Sequence, residues 1–181
     1  MQEYVSIEDI RQAYIDCCKH KTSTDDCVSY QAEAIINNYQ LYADLNRLTY
    51  EIGPSKAFCV TRPKLREVFC AQFRDRVVHH LLALKIGGIL YGVEQIRAQM
   101  ERVSEGYTRE AWVLKCDLQG FFMSIDRKML YDKLERLIRA KYRGKDIEWW
   151  LWLWKIVMLH DPTKNCVKTG NLKLFDVLPK K

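Results

Sequence analysis

The chain has 181 residues, 48% of them apolar and 29% charged, with a net charge of +6. Such a composition can bury a real core and excludes a disordered chain, while the charge favours a polyanionic partner without requiring one. Seven cysteines, odd in number and scattered, exclude a disulfide framework and read as a reducing, cytoplasmic setting.

Residues 1–10 carry no basic-then-apolar signal pattern. Ser6 precedes Ile7, Ile10 and Tyr14 at helical spacing, with Asp9 three residues on. This capping pattern predicts a helix to about His20. A polar stretch, residues 21–26, separates it from a longer predicted helix in which Ala32, Ile35, Ile36, Tyr39, Tyr42, Leu45 and Leu48 recur. Gly53-Pro54 ends that helix. Residues 57–60 and 65–70 read as strands about an Arg62-Pro63-Lys64 turn, a β-hairpin with a basic tip. Residues 72–86 are helical in pattern, with Phe73, Val77, Leu81 and Leu84 on one side; Gly87-Gly88 breaks the pattern. It resumes over residues 91–104 with Val93, Ile96, Met100 and Val103.

Residues 111–116 read as a buried strand that ends at Asp117, and Asp126 is placed to cap a helix reaching about Tyr142. The last helix, near residues 146–160, carries Trp149, Trp150, Trp152 and Trp154 on several faces and calls for burial on more than one side. Its apolar run, Ile147–Leu159, is too short to span a bilayer and contains Lys155, so no membrane partner is expected. A basic, loosely patterned tail follows Asp161-Pro162 with no further element. The expected class is α+β: mostly helical, with a small hairpin and one further strand.

The richest stretch chemically is residues 114–130, L-K-C-D-L-Q-G-F-F-M-S-I-D-R-K-M-L. A carboxylate delivered at a strand end, as Asp117 would be, is well placed for Mg²⁺, which takes a few carboxylates plus phosphate oxygens. On spacing alone, the plainer reading is the stronger one: Asp117 merely ends a strand and caps a turn. The stretch resembles motif A of reverse transcriptases, matching at Asp117, Gly120, Phe121, Phe122, Ser124, Ile125 and Asp126. The resemblance implies that Asp117 and the Leu118 carbonyl hold metal in a two-Mg²⁺ site. It also implies that backbone near Gly120 and Phe121 approaches the triphosphate, and that Phe122 excludes the ribose 2′-hydroxyl by leaving no room for it. Asp126 reads as a helix cap.

Residues 50–82 carry Pro63-Lys64-x-Arg66-Glu67-Val68 followed by Phe73-Arg74-Asp75-Arg76-Val77. This looks like the fingers hairpin of bacterial reverse transcriptases, in particular those of diversity-generating retroelements, with group II intron enzymes next nearest. The resemblance gives Arg66, helped by Lys64 or Arg62, the role of holding the incoming triphosphate, which suits a guanidinium's planar fork. Arg74, Asp75 and Arg76 could touch template phosphates or form a local ion-pair cluster; the second is the expectation. His79 and His80 read as packed or half-exposed. A zinc module on Cys17, Cys18, His20 and Cys27 is the weaker alternative to buried thiols, because the spacing is irregular.

The resemblance implies fingers over residues 1–110 and a partial palm over 111–181, an expected N-terminal fragment that stops before a Tyr-x-Asp-Asp motif. The chain contains no Tyr-x-Asp-Asp. Where the family carries a basic segment, Lys85-Ile86 joins Ile89-Leu90 through Gly87-Gly88 alone. Either the lineage lost that segment or a loop was excised and its ends joined by glycines, and the bare pair favours the second. The implied partners are an RNA template, a DNA primer and deoxynucleoside triphosphates, with the chain alone inactive. The tryptophan helix would either drive self-association or lie inside the chain's own core. A basic helical nucleic-acid-binding module without enzymatic activity is the other reading of the whole.

Overall fold

The computed structural model describes residues 3–19, 24–90, 92–114 and 124–178. The architecture is α+β, a helical body with a three-stranded sheet on it. α1 (Ile7–Cys18) opens on a capping box: Ser6 Oγ accepts from the Asp9 N–H, and the Asp9 carboxylate accepts from the Ser6 N–H. α2 (Asp25–Ala32) and α3 (Ala34–Asn46) follow where one long helix was expected. They part at Glu33, whose φ of −124° and ψ of 35° leave the helical region.

β1 (Ser55–Val60) and β2 (Arg66–Cys70) form the expected hairpin, antiparallel, with Val60 opposite Arg66 and Lys56 opposite Cys70. Then come α4 (Phe73–Leu90), α5 (Gly92–Val103), α6 (Arg127–Lys141), α7 (Ile147–Leu159), β3 (Cys166–Lys168) and the short α8 (Lys173–Asp176). α4 is the central element and packs on α1, α2, α6 and α7. Ile10 and Ala13 of α1, Leu41 and Leu45 of α3, Phe73, Val77, Val78, Leu82 and Ile86 of α4, and Trp150 and Leu153 of α7 fill one core.

Several expectations are corrected. Gly87-Gly88 does not break the chain's helical course: α4 runs through both, and a Cβ on either would meet nothing within 4 Å. A glycine costs a helix only about 1 kcal/mol, too little to interrupt one pinned by Phe73, Val77, Val78, Leu81, Leu82 and Ile86. Leu84, expected on the buried side of α4, is exposed. The tail after Pro162 is not elementless, because β3 pairs in parallel with β1, Ser55 opposite Cys166, giving the order β2-β1-β3.

α5 is present, but every side chain described on it, Glu94 through Val103, is exposed, Ile96, Met100 and Val103 included. Residues 111–114, expected as the start of a buried strand, are in no strand, and Trp112 (90%) and Leu114 (88%) are almost wholly exposed. A strand is held by its ladder to a neighbour, and the three strands among the described residues pair only with one another. With Met100, Val103 and Tyr107, residues 111–114 line an open groove of about 450 Å³.

Trp149 and Trp150 of α7 are buried and Trp152 and Trp154 half-buried, which matches a helix inside the chain's own core. The Trp149 indole N–H donates to the Leu45 carbonyl at 3.1 Å, and its ring stacks on Tyr4. By length and composition the helical stretch Phe73–Val103 would suffice to cross a membrane, which the expectation from Ile147–Leu159 overlooked. Its first half is the core helix just described.

Candidate functional site

The hairpin is the part of the expected site that the described residues bring together. Arg62 and Lys64 lie in the five-residue loop between the strands, and Arg66 opens β2. All three are exposed, and none enters an ion pair among the described residues. The tip therefore presents three cations that are exposed and in no ion pair among the described residues, a charge that suits a polyanion.

The base of the hairpin is held from three sides. On one, Ser55 N–H donates to the Asn165 carbonyl at 2.9 Å, and Thr169 N–H donates to the Ala57 carbonyl at 2.8 Å, so β3 clamps β1. On the second, Asp75, 1% exposed at the head of α4, accepts from the Tyr50 hydroxyl at 2.7 Å and from the Gly53 N–H at 3.1 Å. On the third, Arg74 pairs with Asp44 at 2.6 Å, donates to the Glu51 carbonyl at 3.2 Å and lies over the Tyr50 ring.

Burial first, then the neighbouring Asp75 carboxylate, pushes the Tyr50 hydroxyl's pKa well above the ordinary tyrosine value. Arg76 pairs with Asp26 at 2.7 Å beside the Phe73 ring. Although burial opposes it, the Thr24 hydroxyl and Arg76 together hold the Asp26 carboxyl below the usual carboxylate range. The Phe-Arg-Asp-Arg run is thus an ion-pair cluster tying α4 to α2, α3 and the approach to β1, as expected. His79 is exposed and His80 half-buried.

The other half of the expected site, Asp117, Leu118, Gly120, Phe121 and Phe122, lies outside the described residues. Its downstream flank is described: Asp126 caps α6, its carboxylate accepting from the Met129 N–H at 2.9 Å, which is the role expected of it. Among the described residues no three His, Cys, Asp or Glu side chains come together to hold a metal. Cys17 and Cys27 are buried in the core, and Cys18 accepts from the Gln31 amide at 3.4 Å. His20 of the zinc alternative lies outside the described residues.

Sequence reasoning missed the clamp by β3. Its only local signal is a single β-branched residue, Val167, because a three-residue strand is defined by its partner rather than its own pattern. No family model matches the chain, and no curated protein sequence matches it.

Proposed function

We propose that the chain supplies the fingers and the first palm segment of an RNA-directed DNA polymerase, a reverse transcriptase. The observation that carries the reading is the division of labour among its arginines. Arg74 and Arg76 are engaged in internal pairs that fix the hairpin's base, while Arg62, Lys64 and Arg66 at the tip enter no ion pair among the described residues. A braced hairpin with an uncompensated cationic tip suits a triphosphate, whose oxygens a guanidinium binds two at a time.

In this reading Arg66, with Lys64 and Arg62, holds the phosphates of an incoming deoxynucleotide. Phe122 crowds the sugar's 2′ position, and backbone at Gly120 and Phe121 lies along the triphosphate. The Asp117 carboxylate and the Leu118 carbonyl are the hard oxygen donors Mg²⁺ takes, but they fall short of a full set. When bound, Mg²⁺ would neutralise charge developing on the phosphate as a primer 3′-hydroxyl displaces pyrophosphate. The template would be RNA and the primer DNA.

The test is triphosphate binding by fluorescence titration with a labelled deoxynucleotide. Loss of a charge-assisted hydrogen bond is worth about 1.5–3 kcal/mol, so Arg66→Ala should weaken binding by about 10- to 150-fold. Unchanged affinity would remove the hairpin from the site. The second reading, a basic nucleic-acid-binding module without catalysis, draws on residues 111–114, which are exposed and in no strand among the described residues. It predicts that Asp117→Ala alters stability alone.

A further inference from the structure

The chain's charge is not spread evenly. Residues 127–145 carry eight Lys and Arg against two Asp and Glu, and the rest of the chain carries 21 of each sign. This one stretch therefore holds the whole net charge of +6. It comprises α6 and the turn behind it.

At about 100° per residue, Lys128, Asp132, Lys133, Arg136 and Arg139 fall on one side of α6. All five are exposed, whereas Tyr131 and Ile138 on the other side are buried, where α6 packs on α4 and α7. Lys128, Lys133 and Arg136 enter no ion pair among the described residues, and neither do Arg143 and Lys145 just past the helix end. Arg139 is neutralised by Glu135 and Glu148. Asp132 is the one carboxylate in the row.

We propose that this face of α6 is a docking surface for the phosphate backbone of duplex nucleic acid. It is separate from the hairpin tip, and it does not depend on the polymerase reading. Charge complementarity names the partner's sign, and the shape of the face narrows the class. From Lys128 to Lys141 the helix runs about 20 Å at 1.5 Å per residue, with Arg143 and Lys145 just beyond it; measured along a duplex axis, that length passes about six phosphates of one strand.

The face offers no ring for a splayed base to stack on, because Tyr131 is buried and Tyr142 packs against the core. A single-strand groove needs such platforms. Met129 is its one large exposed apolar side chain, too little to seat a helix in a bilayer. Contacts to phosphate alone carry no sequence information, so binding should be indifferent to sequence.

The test is fluorescence anisotropy of a labelled random-sequence duplex titrated with the full chain as salt is raised. Five phosphate contacts predict a log–log salt slope of about −4.5, an affinity loss of about 500-fold between about 50 and 200 mM salt. Lys133→Ala/Arg136→Ala should flatten the slope by about two and weaken low-salt binding. Both positions are exposed on a helix, where alanine is the best former, so the fold is kept. Arg62→Ala/Lys64→Ala/Arg66→Ala should leave the α6-dependent part of the slope in place. The proposal is overturned if the α6 pair changes neither slope nor affinity, if the hairpin triple abolishes duplex binding altogether, or if the chain binds phosphatidylserine vesicles and not the duplex.

Discussion

Asp75 is the keystone of the hairpin's mounting, and a double-mutant cycle with Tyr50 measures it. The carboxyl is 1% exposed and Tyr50 2%, and they meet at 2.7 Å. Tyr50→Phe removes one buried hydrogen bond to a charged acceptor, at a cost of about 1.5–3 kcal/mol. Asp75→Ala strands two donors, the Tyr50 hydroxyl and the Gly53 N–H. The Tyr50 hydroxyl is buried and the Gly53 N–H half-buried, so at about 1–3 kcal/mol for an unsatisfied buried group the loss is about 3 kcal/mol, a large share of a domain's usual stability. The double variant loses the shared bond only once, so the single effects should exceed the double by about 1.5 kcal/mol or more. Urea denaturation followed by circular dichroism gives all four corners. Should Asp75→Ala leave too little folded protein, Tyr50→Phe alone carries the test. Effects that add to within about 0.5 kcal/mol, or a Tyr50→Phe cost below that, would refute the bond's role in holding the hairpin.

Gly87→Ala and Gly88→Ala should each stabilise the chain by about 0.4–1 kcal/mol, since both sit in a helix and face open space. A lowered melting temperature would contradict the continuous helix. Trp150→Ala should cost about 3–5 kcal/mol, as for other large buried aromatics, and leave the sedimentation coefficient of the folded protein unchanged. Dissociation of an oligomer without loss of stability would instead show that the ring serves self-association. Burial pushes Tyr30 and Tyr50 above the ordinary tyrosine value and Tyr142 up to about 12. Their contribution to stability is full below the unfolded value near pH 10 and lost as pH rises through the native values. The urea midpoint should therefore fall steadily above about pH 10, and a flat profile between that point and pH 12 would contradict the burial.

What was legible in the sequence was local. Ser6 with Asp9 and Asp126 ahead of α6 are caps whose bonds close within three residues. The hairpin was marked by its turn and flanking strands, and the Arg74–Arg76 cluster by its alternating charge. What was not legible depended on distant partners. Ile35, Ile36 and Tyr39 fit a helical stripe yet are exposed, because the buried side of α3 runs through Asn38, Leu41, Leu45 and Asn46. Asn46 is tolerated there because its amide is satisfied: its oxygen accepts from the Tyr4 and Val5 N–H groups, and its nitrogen donates to the Val5 and Tyr42 carbonyls. A buried, fully bonded asparagine misdirects a count of apolar positions. β3 owes its existence to β1, more than a hundred residues away. The strand expected before Asp117 rests on an apolar run alone, and residues 111–114 join no ladder among the described residues.

The central claim is that Asp117 belongs to a polymerase centre served by the hairpin. Its most direct test is Mg²⁺-dependent primer extension on an RNA template by the product of the whole reading frame that encodes this chain, with and without Asp117→Ala. The account predicts DNA synthesis that Asp117→Ala abolishes while duplex binding is kept, and no synthesis by residues 1–181 alone. Absence of synthesis by the whole product, or an Asp117→Ala variant that extends primers at an undiminished rate, would contradict it.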